Sequence, residues 1–326
     1  MIIENFIPFT GEHCETTAIG NLLSHAGIRL SEPMLFGIGE GLGFIYWDMK
    51  GMDFPFIGGR SKPDELTARI ASRLNLTLTT QETTSVTKAW NNIKVHIDHG
   101  VPVGLKLDCY HLDYFTNKIH FAAHYVAMYG YDDDYAYLID TAQQGSMVKT
   151  SLENLALARN EKGSMSSKNL SYTIEKTTDY PLLAPVIRTS IVSNAYHYLN
   201  PPIRNIGVKG IEKWSAEILK WPSRSRNLAH DLCLTASLME KGGTGGAFFR
   251  NLYRDFLKES MEICGDSKLE LAYFSYIEIA SLWNEVSTSI DKAGRTGHMD
   301  NLEQASKLLL QIVRKEKEAM ELLLKL

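Results

Sequence analysis

The chain has 326 residues, 44% of them apolar and 22% charged, a balance that excludes a disordered chain and a length that favours two domains over one. Its formal net charge of -4 excludes the strongly basic surface of an electrostatic nucleic-acid binder, so no nucleic-acid partner is expected. No stretch reaches the roughly 18 to 20 apolar residues of a membrane span, and Met1-Ile2-Ile3-Glu4-Asn5-Phe6-Ile7-Pro8 lacks the basic start of a secretory signal. A cytoplasmic protein with no membrane partner is the expectation.

In chain order, the first element follows the Gly11-Glu12-His13 turn. Ala18, Ile19, Leu22, Leu23 and Ala26 recur at helical spacing up to Gly27, so a helix is predicted with Cys14 at its N-terminus. Gly37 to Gly43 is glycine-rich with Glu40 at its centre. A phosphate cradle would not carry an acid there, so a tight turn lining a cleft is expected, followed by an aromatic wall of Phe44, Tyr46 and Trp47. Helices are predicted over 64–73 and 87–99, then strands over 101–107, 123–129 and 135–139. The Gly130 to Asp134 stretch makes a hairpin turn in which the aspartates are turn formers.

Residues 160–171 read as an exposed polar loop and 172–175 as one more strand, closing a first domain near residue 180. From about 185 the helical period dominates, most clearly in Leu302, Ala305, Leu309, Ile312, Val313, Met320, Leu323 and Leu324. The Gly242 to Gly246 run before Ala247-Phe248-Phe249-Arg250 reads as a helix-start turn allowing close packing, with anion or substrate binding as its alternative. The division is therefore 1–180 and 181–326, an α+β first domain with an antiparallel sheet and a mostly helical second one.

Chemistry concentrates in the first domain. Cys14, Cys109, Cys233 and Cys264 are widely spaced with no CxxC pair, so each is judged as a free thiol. A thiol attacks as thiolate, and a helix N-terminus favours that anion through its unpaired N–H groups, which could also hold the oxyanion of a tetrahedral intermediate. By itself Cys14 could equally be a small buried hydrophobe. A thiolate nucleophile also needs a base and a group that orients it. His124 opens one strand and Asp140 closes the next, and in an antiparallel hairpin those two ends lie side by side. The catalytic set is therefore Cys14, His124 and Asp140.

His120 is a substrate contact or an alternative base, and His13 a turn residue. A metal centre on His120 and His124 with Asp108 and Asp113 is not expected, because i, i+4 spacing shares a face only on a helix and this region reads as strand and loop. No cofactor is expected. Glu40, Asp108 and Asp113 lie in segments predicted to flank the site, with Tyr46, Trp47, Tyr110 and Tyr114, a surface suited to a cationic acceptor. Glu40, Tyr46, Trp47, Asp108, Tyr110 and His120 are the substrate-binding candidates.

These segments together resemble the butirosin biosynthesis protein H family. The residues that carry the similarity are His13-Cys14-Glu15, Gly37 to Trp47, Val101-Pro102-Val103, His120-Phe121 with His124 before Gly130-Tyr131-Asp132, and Gly243 to Arg250, over roughly residues 10 to 265. The first half is also similar to the papain-like peptidase domains of bacteriocin-processing transporters, in which a histidine opening a strand before a Gly-Tyr-Asp turn is the base. In that comparison Cys14, His124 and Asp140 fall on the matching positions.

The resemblance implies a papain-like first domain. Its founding member is understood as an acyltransferase that moves an amino-acyl group from an acyl carrier protein to an amine of an aminoglycoside. It thus implies a secondary-metabolite (antibiotic biosynthesis) acyltransferase with a phosphopantetheine thioester donor, an acyl-enzyme on Cys14 and a small-molecule amine acceptor. One position departs from papain-like peptidases: they place a glutamine about six residues before the cysteine, where this chain has Pro8, and no glutamine precedes Cys14. The alternatives are a cysteine peptidase or amidase using water as acceptor, and a non-catalytic binding domain. The helical half is open to three roles: acceptor binding, carrier-protein docking or homodimer formation.

Overall fold

The computed structural model describes residues 1–163 and 166–326. Ser164 and Met165, part of the stretch read as an exposed loop, lie outside the described residues. The chain divides into two compact units, Met1–Leu35 with Pro63–Pro181, and Phe36–Lys62 with Leu182–Leu326. Residues 36–62, placed by the sequence in a domain 1–180, group instead with Leu182–Leu326 in the second unit.

The elements of the first half are α1 (Cys14–His25), α2 (Glu32–Ile38), β1 (Leu42–Trp47), β2 (Phe56–Arg60), α3 (Glu65–Arg73), β3 (Leu76–Gln81) and α4 (Val86–Asp98). They continue as β4 (Val103–Leu107), β5 (His124–Tyr131), β6 (Tyr135–Ile139), β7 (Met147–Ser151), α5 (Leu152–Asn160) and β8 (Ser171–Lys176). In the first unit six strands form one antiparallel sheet in the order β3-β8-β4-β5-β6-β7. The α+β class and antiparallel sheet are as the sequence led us to expect.

Helix α1 lies on the middle of this sheet, and every residue from Cys14 to Leu23 is buried. A helix buried on all sides must satisfy its polar side chains internally. Asn21 does so by accepting from Phe9 N at 2.8 Å and donating to Phe9 O at 2.7 Å. Thr17 Oγ1 accepts from Gly11 N at 3.2 Å, and Glu15 accepts from Thr67 N and Oγ1 at 3.1 and 3.0 Å. The approach to Cys14 is stitched to the helix that carries it.

The β5–β6 hairpin contains an irregularity that matters for the site. Near its turn Gly130 faces Tyr137 and Tyr131 faces Ala136, whereas beyond Tyr129 the pairs become Met128 with Leu138 and Ala127 with Ile139. Tyr129 is the extra residue of a β-bulge, and side chains beyond it switch faces relative to the turn register. The Tyr129 carbonyl, displaced from the ladder, accepts from Ile3 N at 3.0 Å, and Phe6 stacks on its ring at 4.9 Å. At the turn, Asp132 accepts from the N–H groups of Asp134 and Tyr135, as expected of a turn former.

The second unit holds α6 (Leu183–Leu199), α7 (Gly207–Glu217), α8 (Trp221–Arg224), α9 (Leu228–Lys241), α10 (Arg250–Cys264), α11 (Ser267–Thr296) and α12 (Asp300–Leu323). Residues 36–62 join it for a physical reason: β1 and β2 pair as a two-stranded sheet, and Phe44 stacks on Trp214 at 5.7 Å and packs against Trp283 at 6.0 Å. The glycines before β1 permit close approach. A Cβ at Gly37 would fall 2.1 Å from the Phe256 ring, and one at Gly43 2.7 Å from the Arg60 backbone.

The glycine run 242–246 does precede a helix start, through an unusual left-handed turn. Ala247, Phe248 and Phe249 all have positive φ before α10 begins at Arg250, a conformation that costs L-residues about 1–2 kcal/mol each. Arg250 anchors that turn: its Nη1 donates to Phe248 O at 2.8 Å, and its Nε to Glu316 Oε1 at 2.8 Å within a fully buried pair. Trp283 Nε1 and Tyr198 OH also donate to Glu316. This buried polar network accounts for Arg250.

Candidate active site

Cys14 is the first residue of α1, capped by His13, whose Nδ1 accepts from Thr16 N at 3.4 Å. The segment entering the helix is held by Glu32: one carboxylate oxygen accepts from Glu12 N at 2.8 Å, the other from His13 N at 2.8 Å and Thr16 Oγ1 at 2.7 Å. Burial pushes the Glu32 carboxyl up, opposed by these hydrogen bonds. Nothing in the sequence pattern marked Glu32 out. Once Glu12 and His13 have spent their N–H groups on it, the Cys14 N–H has no acceptor among the described residues and is available to an oxyanion.

His124 and Asp140 meet across the hairpin, with His124 Nε2 2.7 Å from Asp140 Oδ2. The bulge makes this possible. Carried on from the turn, the register would set Asp140 opposite Ala127, on the other face from His124; the shift at Tyr129 sets it opposite Val126, whose side chain shares the His124 face. Asp140 is fully buried, while His124 and Cys14 keep 7% and 9% of their surface exposed. Access to the pair is narrow but real.

Burial alone would push the His124 imidazole down. The Asp140 carboxylate, by charge and hydrogen bond, and a hydrogen bond with Cys14 outweigh it and hold His124 well above the ordinary histidine range. Phe115 packs edge-on against the His124 ring at 5.3 Å. Tyr114, placed by the sequence on an acceptor surface, instead donates its hydroxyl to Asp140 Oδ2 at 2.7 Å, while Thr141 N donates to Oδ1 at 2.6 Å. Burial, reinforced by Asp140, pushes the Tyr114 phenol far up, so it remains a donor. Cysteine, imidazole and oriented carboxylate are the elements of a cysteine-dependent enzyme.

The remaining candidates divide. Asp108 is buried with both oxygens engaged: Oδ1 accepts from Tyr110 N at 2.9 Å and Phe121 N at 3.0 Å, and Oδ2 from His120 Nδ1 at 3.1 Å. It organises its loop and offers no free oxygen to a cationic substrate. Tyr110 and His120 stack at 3.9 Å with 10° between their planes, both exposed. Asp113 accepts from Thr150 Oγ1, Ser151 N and Asn154 Nδ2, tying its loop to the start of α5, which Ser151 itself caps.

Glu40, Tyr46 and Trp47, read as cleft residues, belong to the second unit. Glu40 accepts there from Ser193 Oγ at 2.9 Å, and burial raises the Tyr46 phenol to about 12. The sequence signals of glycine and aromatic residues were real, but they marked packing within that unit.

Two family models match the chain, butirosin biosynthesis protein H, N-terminal, over residues 13–141 and the domain of unknown function DUF4872 over residues 153–323. The first begins one residue before Cys14 and ends one after Asp140. No curated protein matches. Among solved structures, the chain is similar to a C39-like peptidase from Bacillus anthracis at 17% identity and a TM-score of 0.37, over 55% of this chain and 98% of that one. With its two halves matched in sequence by these two domains, the chain belongs to the butirosin biosynthesis protein H family.

Proposed function

We propose that the protein is a cysteine acyltransferase of secondary metabolism, moving an acyl or amino-acyl group from an acyl carrier protein thioester to an amine through an acyl-enzyme on Cys14. The observation that carries the reading is His124 held between Asp140 and Cys14, in a chain of the butirosin biosynthesis protein H family. His124, held as imidazolium, already carries the thiol proton, and the Cys14 sulfur attacks the thioester carbonyl. The resulting oxyanion faces the Cys14 N–H. Collapse breaks the bond to the carrier thiol, which leaves with the proton from the imidazolium. The neutral amine then attacks the acyl-enzyme, His124 accepts its proton, and the Cys14 thiolate departs.

The missing glutamine favours transfer over peptide cleavage. A thioester expels a stable thiolate and needs less oxyanion support than an amide, and a single backbone donor is what the helix start offers. Acceptor recognition falls to the exposed Tyr110–His120 stack in this reading.

The experiment is intact-mass measurement after incubation with an acyl-loaded carrier protein or a phosphopantetheine thioester, followed by a challenge with polyamines or amino sugars. The expected result is an adduct on the native chain, none on Cys14→Ala at unchanged circular dichroism, and discharge to an amide. Equal labelling of Cys14→Ala sinks the nucleophile; discharge to water alone, at a rate no amine alters, assigns the protein as a hydrolase. Rapid acylation in His124→Ala but not in His120→Ala would reassign the base.

A further inference from the structure

Between β4 and β5 the chain makes a long connection, residues 108–123, which supplies Tyr114 to Asp140 and Phe115 to His124. Apart from those contacts it carries His111 and His120, which meet Glu161 at the end of α5; of these three the acyl-transfer reading uses only His120, in acceptor recognition. His111, His120 and Glu161 bring one ligand atom each within 4.8 Å of one another. His111 Nε2 is 2.6 Å from Glu161 Oε2, and the two imidazole rings lie 5.9 Å apart, nearly perpendicular.

We propose that His111, His120 and Glu161 bind one zinc-class divalent ion, which ties the β4–β5 connection to the end of α5. The ligand chemistry fits: two imidazoles and a carboxylate are a borderline-soft set that leaves a coordination position for water. With bonds of about 2.0–2.2 Å, tetrahedral ligand atoms stand about 3.4 Å apart, a spacing reached when the His111–Glu161 contact opens slightly and His120 closes in. His120 is prepared for the role. Its Nδ1 donates to the buried Asp108 carboxylate at 3.1 Å, which leaves Nε2 as the ligand atom, and the Tyr110 ring fixes its plane. Asp108 is itself locked by two backbone donors. All three ligands keep solvent access, with side chains 18%, 58% and 29% exposed for His111, His120 and Glu161, so an ion can enter.

The ion would replace a single hydrogen bond by a three-point clamp on the connection that bears Tyr114 and Phe115. It would thus stiffen the surroundings of His124 without touching the reacting atoms. The site does not depend on the acyl-transfer reading.

The test titrates Co²⁺, then Zn²⁺, into metal-free full-length protein, following cobalt absorption and thermal unfolding. One equivalent is expected to bind with visible d–d bands and no thiolate-to-cobalt band, to raise the unfolding temperature, and to behave the same in Cys14→Ala. Separately, His120→Ala and Glu161→Gln should weaken binding by more than the roughly 10- to 100-fold typical of outer-shell changes. Both positions are partly exposed, so the variants should fold. No stoichiometric binding, a thiolate band, or affinity that vanishes in Cys14→Ala but survives in both ligand variants overturns the proposal.

Discussion

His124 Nε2 lies 2.7 Å from Asp140 Oδ2 across a hairpin whose register changes by one residue between the turn and this pair. The change is the bulge at Tyr129, and it decides which face Asp140 occupies. Deleting Tyr129 removes the bulge but keeps the register on both sides, Gly130 with Tyr137 and Met128 with Leu138, so Asp140 stays opposite Val126 on the His124 face. The deletion variant is expected to keep its far-ultraviolet circular dichroism and rapid acylation of Cys14 by an acyl thioester, read by intact mass, and to lose stability with the Phe6 stack on the Tyr129 ring. Loss of acylation in a folded variant would mean that the bulge itself, and not the register beyond it, holds the couple.

The His124–Asp140 couple predicts a pH dependence of definite sign. Because His124 is held charged above its ordinary value of 6.5, the stability it contributes is complete below that value. It is lost as pH rises through the raised folded value. In Asp140→Asn the carboxylate is gone and burial counts for more, so His124 should titrate at or below about 6.5 and this alkaline loss of stability should vanish. A ring-proton NMR titration of His124 and unfolding temperatures across pH measure both. An unshifted His124 titration in the variant contradicts the assignment.

Tyr114→Phe removes one donor from Asp140 and leaves the ring in place. A hydrogen bond to a buried charged group is worth about 1.5–3 kcal/mol, so urea unfolding should register a loss of that order. Acylation should slow less than in Asp140→Asn, because Asp140 retains the Thr141 N–H and His124. A variant as stable as the native protein would show that the Tyr114 hydroxyl is idle.

Glu32→Gln keeps the shape of the side chain that holds the Glu12 and His13 N–H groups. Its amide then points a donor at a donor at one of these positions, costing about 1–3 kcal/mol. The Cys14 N–H should become less well placed, so acylation is expected to slow several-fold at unchanged carrier-thioester affinity. Denaturant melts alongside single-turnover acylation separate the two effects. Native rates in a destabilised variant would confine Glu32 to folding.

Much of the first unit was legible in its sequence because local signals mark it. Helical spacing closed by Gly27 located α1 and put Cys14 at its start, and the β-rich runs located β4, β5 and β6 to within two residues. The edge strands β3 and β7 escaped notice, since exposed edges carry polar residues such as Thr77, Thr79 and Lys149 that weaken the apolar pattern. The sequence also singled out Cys14, His124 and Asp140, because each sits at the end of a recognisable element.

Tertiary structure decided the rest. Apolar patterning says that Phe44 and Tyr46 are buried but not against what, and only the fold assigns residues 36–62 to the helical unit. Carboxylates were the hardest to read: Glu32, Asp108, Asp113 and Asp140 look alike along the chain. Their roles depend on which N–H, hydroxyl or imidazole groups the fold brings to each. Whether His124 and Asp140 share a face was likewise beyond the sequence alone, since one bulged residue reverses every side chain beyond it and nothing in Tyr129 itself announces the bulge.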